Sequence, residues 1–388
     1  MKFLMASPVA GALAGFESAL AQEALAGPVD APADAIDVFD LEATARGVLP
    51  PAHYGYLATG TFGEQTLRAN RSAFERYYLR SRRLVDVSSV DTSVRLLGET
   101  FRSPIVLCPV GSQRGFHADG ELATARAAKR HNHLQMLSSV SSTAIDEVAR
   151  ARGAPLWHQL YPTGSWAVTR ELLRRAERAG CSTVVVTVDL PAGGAGRQRL
   201  ARMIREDPRD CASCHENPEV AGGPKPLYAG IDATVDLSQA SLTWDFVNRL
   251  RDATTMNVVL KGIVSADDAE RCLAAGVDGI VVSNHGGRAD DSGRGAIESL
   301  EEVASVARGK TTLIMDSGVR RGTDILKALA LGADAVGVGR PYVWGLAAFG
   351  EAGVSRALEL LQQELVESMQ FTGVASVDDI SDRFIGRH

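Results

Sequence analysis

The stretch Gly279-Ile-Val-Val-Ser-Asn-His-Gly-Gly-Arg288 decides the fold. Its first four residues form a short apolar run that is typical of a buried strand. His285, two glycines and Arg288 follow where that strand ends. A histidine there can accept a proton near neutral pH, and an arginine three residues later can bind a carboxylate through two parallel hydrogen bonds. The alternative is a solvated turn, and the neighbouring strands decide between the two.

Eight apolar runs alternate with eight helical patterns along the chain. The runs lie at residues 104–108, 134–138, 155–160, 183–188, 257–260, 279–282, 311–315 and 335–338. The helical patterns lie near residues 119–130, 143–151, 165–179, 243–251, 265–275, 297–307, 321–331 and 345–369. This alternation predicts a parallel sheet, and eight units favour a closed (β/α)8 TIM barrel. A doubly wound open sheet is the second choice. The sequence has no Gly-x-Gly-x-x-Gly between a strand and a helix, which argues against the dinucleotide-binding form of that sheet.

The chain divides into three predicted parts. Residues 1–26 form an export signal, residues 27–100 a linker and a small N-terminal helical cap, and residues 101–388 the barrel. One or two helices are expected within residues 41–80 of the cap. An insertion loop over residues 190–240 follows the fourth strand, and connections that long are typical of lids, binding loops or disordered segments.

Composition narrows the class of protein. The 388 residues are 45% hydrophobic and 23% charged, as in ordinary globular proteins. The net charge of −6 gives no indication of a nucleic-acid partner.

The N-terminus has the features of a secretory signal. Lys2 precedes a mostly apolar stretch over residues 3–16, and Ala19-Leu-Ala21 and Ala24-Leu-Ala26 are small-x-small cleavage patterns. This predicts export to the periplasm, with a frayed helix in a cytoplasmic protein as the alternative. Lys2-Phe-Leu4 is also similar to the end of a twin-arginine signal whose arginines lie upstream.

The five cysteines fall into two groups. Cys108, Cys181 and Cys272 lie in or beside apolar segments and are expected to be inert core residues. Cys211-Ala-Ser-Cys214-His215 matches the pattern for covalent haem c attachment. Its Pro-, Gly- and Arg-rich surroundings are poor in the apolar residues that would enclose a haem, so a disulfide or a metal-binding turn are the alternatives.

Polar side chains or glycines follow nearly every predicted strand. In chain order these are Pro109-Val110-Gly111, Ser138, Gln159 with Tyr161, Thr187 with Asp189, Lys261, Ser283 with His285, Asp316 to Arg320, and Gly339-Arg340. Because the carboxyl ends of barrel strands meet at one rim, this set predicts a ligand site there. The loops after the seventh and eighth strands are where barrels bind phosphate.

These residues resemble the FMN-dependent 2-hydroxy-acid oxidase and dehydrogenase family, which includes glycolate oxidase, lactate oxidase, mandelate dehydrogenase and the flavin domain of flavocytochrome b2. The resemblance runs from about Tyr54 to Ile380. It is most specific at Ser283-Asn-His-Gly-Gly-Arg288 and at Asp316-Ser-Gly-Val-Arg-Arg-Gly-Thr-Asp324, with support from Leu326–Ala333 and Gly339-Arg-Pro341.

The resemblance implies FMN-dependent oxidation of an (S)-2-hydroxy acid to the 2-oxo acid. The implied catalytic residues are His285 as the base, Asp189 as its partner, Tyr161 near the substrate hydroxyl and Lys261 beside the flavin. The implied substrate-binding residues are Tyr56, Arg288 and a second arginine, for which Arg197 is preferred to Arg199. The implied FMN-binding residues are Pro109, Val110, Gly111, Ser138, Gln159, Thr187, Lys261, Ser283, Asp316, Gly318, Arg320, Gly339 and Arg340. No metal site is expected.

Three positions depart from the family pattern. Val140 stands where glycolate oxidase has a tryptophan over the substrate, so the pocket is expected to be differently shaped. Gly111 matches mandelate dehydrogenase where the oxidases have alanine, and it is expected to leave room beside the flavin. Ser317 replaces a family glycine.

The resemblance leaves the electron acceptor open between oxygen and a cytochrome or quinone. It implies a homo-oligomer, a tetramer in the family. The alternative functions are a non-redox FMN barrel isomerase and a haem-binding electron-transfer protein on the same barrel. His285, Arg288 and Asp189 together argue against the isomerase, and the presence of His285, Arg288 and Lys261 argues against the haem-binding protein.

Overall fold

A closed barrel of eight parallel strands forms the centre of the protein in the computed structural model, which describes residues 26–192, 196–207, 225–231 and 239–388. The barrel strands are Ile105–Leu107, Leu134–Ser138, Trp157–Leu160, Thr183–Thr187, Asn257–Ile263, Gly279–Val282, Thr312–Met315 and Ala335–Val338. Each pairs with its sequence neighbours, and the last pairs with the first through Val336 opposite Ile105. The predicted barrel is confirmed.

Side chains that point into the barrel fill its interior. This inner cluster is Leu96, Phe101, Val106, Leu134, Met136, Trp157, Val185, Val259, Val281, Ile314 and Ala335. Leu96 and Phe101 come from a hairpin of Val94–Leu96 and Glu99–Phe101, directly before the first barrel strand. Because they pack on residues near the strand starts, the hairpin closes the amino end and leaves the carboxyl end open for a site.

Helices cover the outside of the barrel. They are Gly120–His131, Ile145–Arg152, Trp166–Arg178, Trp244–Arg251, Ala266–Ala274, Ala296–Ala307, Gly322–Ala330 and Arg340–Thr372. Each presents its buried residues to the strands, as in Trp166–Arg178, where Val168, Leu172 and Leu173 are buried. The last helix begins at residue 340, not near 345 as expected, and it is broken at Phe349 and Gly350, where the backbone leaves helical geometry.

Three helices precede the barrel, where one or two were expected. They are Val38–Val48, Pro51–Ala58 and Gln65–Ser72. Val38–Val48 packs against the last helix, Arg340–Thr372. The strand Tyr77–Leu79 pairs antiparallel with the C-terminal strand Ile385–Arg387.

The connection after the fourth strand is not a plain loop. It contains the helix Gln198–Glu206, which packs on Pro51–Ala58. A Cβ at Gly55 would lie 2.8 Å from the sulfur of Met203, so the missing side chain permits the close approach. The sequence did not predict this helix because its arginines interrupt the apolar pattern. The helix on which it packs, Pro51–Ala58, also lies far away in the chain. Among the described helices, none is long and apolar enough to cross a membrane.

Candidate active site

His285 lies between Asp189 and Tyr161 at the carboxyl end of the barrel. Its Nδ1 is 2.9 Å from Oδ1 of Asp189, and its Nε2 is 3.3 Å from the hydroxyl of Tyr161. The histidine follows the sixth strand, whereas Asp189 follows the fourth and Tyr161 the third. The Asp189 contact favours the tautomer with the proton on Nδ1, which leaves Nε2 free to accept a proton.

Electrostatics hold the pair as neutral imidazole and carboxylate. Burial lowers the pKa of His285, and the cations Lys261 and Arg288 add to this and outweigh the opposite effect of Asp189. Burial acts to raise the pKa of Asp189, but His285 and Lys261 prevail and lower it. A neutral imidazole held by a carboxylate is the state that a general base requires.

Lys261 is a buried cation near the carboxyl end of the fifth strand. Its Nζ donates to Oγ of Ser283 at 2.7 Å and lies 3.2 Å from Oδ2 of Asp316. Burial opposes the charge on the ammonium, but the carboxylates of Asp316 and Asp189 outweigh it and raise the pKa of Lys261. The lysine therefore brings a permanent positive charge to the cleft.

Tyr56 lies between two arginines. The guanidinium carbon of Arg288 is 4.3 Å from the centre of the Tyr56 ring, and that of Arg197 is 5.0 Å away. Arg197 also donates to the carbonyl of Tyr56 at 3.0 Å and to Oγ1 of Thr59 at 3.2 Å. Burial acts to raise the pKa of the Tyr56 phenol, but Arg288 and Arg197 prevail and lower it. Two cations and a phenol form a cradle that suits a carboxylate.

Arg199 does not share this cradle. Its Nη1 lies 3.0 Å from Oε2 of Glu64, and just over half of its side chain is exposed. Of the two arginines considered, Arg197 is thus the one that contacts Tyr56.

Two arginines follow the seventh and eighth strands. Arg320 is buried, and its guanidinium carbon lies 4.7 Å from the ring centre of Trp344. Arg340 donates to the carbonyls of Leu57, Gly286 and Thr59. Burial and the nearby charges of Arg320 and Arg288 lower the pKa of Arg340 to about 9. Arg320 and Arg340 repel each other at the rim where barrels bind phosphate. A bound anion would offset that repulsion.

Polar side chains continue across the second, third and fourth strands. Oγ of Ser138 donates to Oε1 of Gln159 at 3.1 Å, and Nε2 of Gln159 donates to Oγ1 of Thr187 at 2.9 Å. All three are almost completely buried. The three side chains satisfy one another's hydrogen bonds at a depth where unpaired polar groups are costly.

Most of these residues line one cleft at the carboxyl end of the barrel. The predicted site residues that line it are Tyr56, Pro109, Val110, Gly111, Tyr161, Lys261, His285, Arg288, Asp316, Gly318, Arg320, Gly339 and Arg340. The others do not line it but lie behind or beside it: Asp189 contacts His285, Arg197 contacts Tyr56, Ser283 contacts Lys261, and Ser138, Gln159 and Thr187 form the row described above.

The cleft fits FMN by the donor set of its lining. The cation Lys261 lines it, and Arg320 and Arg340 line it at the rim where barrels bind phosphate. At Gly337 an added Cβ would collide with Sγ of Cys108, so this part of the rim has no room for a larger residue.

The space beside Gly111 differs from the expectation. A Cβ there would lie 2.5 Å from Cγ2 of Val140 and 3.0 Å from its carbonyl oxygen. The room expected from the missing methyl is therefore occupied by Val140, and the two residues form one packed wall of the cleft.

Three participants were missed or misjudged from the sequence. Cys108 is buried as expected, but it lines the cleft and its Sγ lies 3.6 Å from Oδ2 of Asp316. Lys225 donates to Oγ of Ser112 at 2.9 Å, next to Gly111. Asn70 bonds to Asn284. Lys225 and Asn70 carried no local signal, because each reaches the site from a segment distant in the chain.

The Cys211-Ala-Ser-Cys214-His215 segment and residues 1–25 of the export signal lie outside the described residues. Covalent haem and cleavage of a signal stay predictions. An intact mass and a pyridine haemochrome spectrum of protein made with the haem-attachment system test the first. A mass equal to the bare polypeptide, with no haem band, leaves the disulfide as the better account.

Comparisons with known proteins agree with the site. The model of the FMN-dependent dehydrogenase family matches residues 45–387. A 2-hydroxyacid oxidase of Dictyostelium discoideum is 39% identical over 90% of this chain and 90% of its own length. An L-lactate oxidase of Lysinibacillus sphaericus is 38% identical over 88% of this chain and 90% of its own.

Solved structures show the same likeness. A mandelate oxidase structure has a TM-score of 0.78 at 38% identity and covers 89% of this chain and 97% of its own. A chimera of (S)-mandelate dehydrogenase has a TM-score of 0.83 at 31% identity, with 91% and 99% covered. The chain belongs to the FMN-dependent dehydrogenase family, whose flavoenzymes oxidise 2-hydroxy acids to 2-oxo acids.

Proposed function

We propose that His285 is the base of this oxidation. The observation that carries the proposal is its geometry: Nδ1 is held 2.9 Å from Asp189, and Nε2 faces the cleft 3.3 Å from the Tyr161 hydroxyl. Nε2 takes the proton of the substrate hydroxyl, and the hydrogen on the carbon that carries the hydroxyl would leave with its bonding electron pair to the bound flavin, which accounts for both hydrogens and both electrons of the oxidation. Asp189 stabilises the imidazolium that results, because it is already ionised. Tyr161 donates a hydrogen bond to the substrate oxygen.

Arg288, Arg197 and Tyr56 orient the substrate in this proposal. Arg288 binds the carboxylate directly, since it lines the cleft, and the Tyr56 hydroxyl donates a second hydrogen bond. Arg197 supports both from behind the Tyr56 ring. A carboxylate held at two points brings the carbon that carries the hydroxyl to a fixed position relative to Nε2.

Bound FMN supplies the acceptor for the electron pair. Lys261 favours negative charge on the ring, and Asp316 and Ser283 keep the ammonium in place. The residues proposed to hold the ring are Pro109, Val110, Gly111, Ser138, Gln159 and Thr187. Asp316 binds the ribityl chain, and Gly318, Arg320, Gly339 and Arg340 bind the phosphate.

We propose that the substrate carries a side chain larger than that of glycolate. Val140 is smaller than the tryptophan of glycolate oxidase, although it fills the space beside Gly111. Names of relatives, an L-lactate oxidase and a 4-hydroxymandelate oxidase, support this direction. The (S) enantiomer is proposed because two relatives are named (S)-2-hydroxyacid oxidases.

Anaerobic spectra of the purified protein test these proposals. Addition of glycolate, lactate, longer aliphatic and aromatic (S)-2-hydroxy acids should bleach the flavin absorbance, and the (R) enantiomers serve as the control. We expect higher kcat/KM for the larger acids than for glycolate. A clear preference for glycolate contradicts the proposed pocket size but leaves the reaction class untouched.

The acceptor is proposed to be oxygen, since relatives are named oxidases, with a cytochrome or quinone as the alternative. Peroxide formed in step with substrate supports oxygen. Slow peroxide release together with fast reduction of a cytochrome or quinone supports the alternative. A homo-oligomer and export to the periplasm stay proposals. Size-exclusion chromatography and the mass of the mature N-terminus test them.

A further inference from the structure

The helix Gln65–Ser72 of the N-terminal cap contacts two loops of the site through adjacent residues. Nδ2 of Asn70 donates to Oδ1 of Asn284 at 2.8 Å, and Nδ2 of Asn284 donates back to Oδ1 of Asn70 at 2.7 Å. Both amides are buried. The next residue, Arg71, donates to the carbonyl of Gly318 and lies 2.7 Å from Asp324. Asn70 therefore contacts the loop of the base, and Arg71 the loop at the phosphate-binding rim.

The base loop needs such support. His285 has a φ of 57°, in the left-handed region that non-glycine residues rarely adopt. Oδ1 of Asn284 also accepts the N–H of Gly287 at 3.0 Å, which closes the turn around His285. A strained residue persists only where its surroundings hold it in place.

Asn70 holds both ends of this loop. Besides its bonds to Asn284, its Oδ1 accepts the N–H of Ala296 at 3.0 Å, at the first residue of the following helix. Packing adds to the constraint: a Cβ at Gly287 would lie 2.5 Å from Cα of Leu67. The loop therefore cannot change conformation without moving the helix of the cap.

We infer that Asn70 is a positioning residue for the base: through Asn284 it holds the His285 turn so that Nε2 faces the substrate. The inference rests on the proposed role of His285. Asn70 is not among the residues that line the cleft. Its partner Asn284 lies 214 positions away, so the cap and the sixth strand build the base together.

The variant Asn70→Ala removes the amide pair. We expect anaerobic flavin reduction to slow by about 10²-fold, because small displacements of a catalytic group have effects of that size. A loosened turn exposes the imidazole, so its lowered pKa returns toward its ordinary value and the acid limb of kcat/KM moves to higher pH. FMN affinity, measured by fluorescence titration, should change little.

Arg71→Gln is the matched control on the same helix. It should weaken FMN binding and leave the acid limb where it is. Asn284→Ala and the double variant complete a cycle: if the pair acts as a unit, the double variant is no slower than the slower of the two single variants. Asn70→Ser, which keeps a polar side chain too short to bridge the loop, should show the same shift and serves if Asn70→Ala does not fold.

Two outcomes overturn the inference. One is a normal reduction rate with an unmoved acid limb in both Asn70 variants. The other is a loss of rate that follows the loss of bound FMN, with no shift of the limb, since this indicates only a structural role. If wild-type protein is reduced normally but His285→Gln is as fast, the proposed base fails instead, and the two failures are distinguishable.

Discussion

The same strands bury apolar side chains at one end of the barrel and polar or charged side chains at the other. Near the strand starts, Trp157 and Val259 are buried in an apolar cluster that a hairpin closes. Two residues later on the same strands, Gln159 and Lys261 are buried just as deeply but carry hydrogen bonds and charge. Side chains two residues apart in a strand point to the same face. Trp157 and Gln159, like Val259 and Lys261, therefore both point into the barrel, at different heights.

The difference concerns how burial is stabilised. At the closed end, removal of apolar surface from water suffices. At the open end, Lys261 needs Asp316 and Ser283, and His285 needs Asp189. Groups that depend on partners are sensitive to single changes in chemistry, whereas the closed end is sensitive to changes in volume. Three variants test this contrast, and a fourth tests the packing of Gly111 against Val140.

The largest effect is expected for His285→Gln. Loss of the base should slow flavin reduction by about 10²- to 10⁴-fold, while the unfolding midpoint and FMN affinity stay near wild type. Stopped-flow reduction and fluorescence titration measure the two quantities. Reduction at the normal rate would assign the base to another residue.

Trp157→Ala is the matched change at the closed end. Loss of this fully buried side chain should destabilise the protein by about 3–5 kcal/mol, because a cavity remains. Denaturant unfolding measures the loss. The reduction rate per bound flavin should not change, and a rate that falls with stability would contradict the separation of the two ends.

Asp189→Asn should slow reduction by about 10²-fold and change its pH dependence. The base must be neutral, so kcat/KM falls as pH drops through the pKa of His285, which burial and the cations Lys261 and Arg288 hold below its ordinary value. Asp189 acts to raise that pKa, so its removal should move the acid limb to still lower pH. A limb that moves to higher pH, or a rate near wild type, contradicts the pairing; the pH profile of kcat/KM shows both.

Gly111→Ala should give the smallest effect, a destabilisation of about 1–3 kcal/mol, since the added methyl overlaps Val140. Val140→Ala in the same chain should restore most of the stability. Gly47→Ala is the control, because a Cβ there meets nothing within 4 Å. If Val140→Ala brings no recovery in the unfolding midpoint, the two residues do not form one wall.

The sequence by itself determined the barrel and the position of its chemistry. Strand length, apolar runs and helical periodicity are local properties, so all eight strands lie where they were predicted, to within three residues at either end. The residues after each strand share one rim by topology alone, which brings His285, Lys261 and Asp189 together.

Only the tertiary structure decided the contacts between distant segments. The helix Gln198–Glu206 depends on a glycine in another helix, and Val140 fills the space at Gly111. Tyr56 lies between arginines from two different loops, and Asn70 reaches Asn284 across 214 positions. The physical reason is that side-chain packing and buried hydrogen bonds depend on which atoms meet in space, and local patterns carry no record of that.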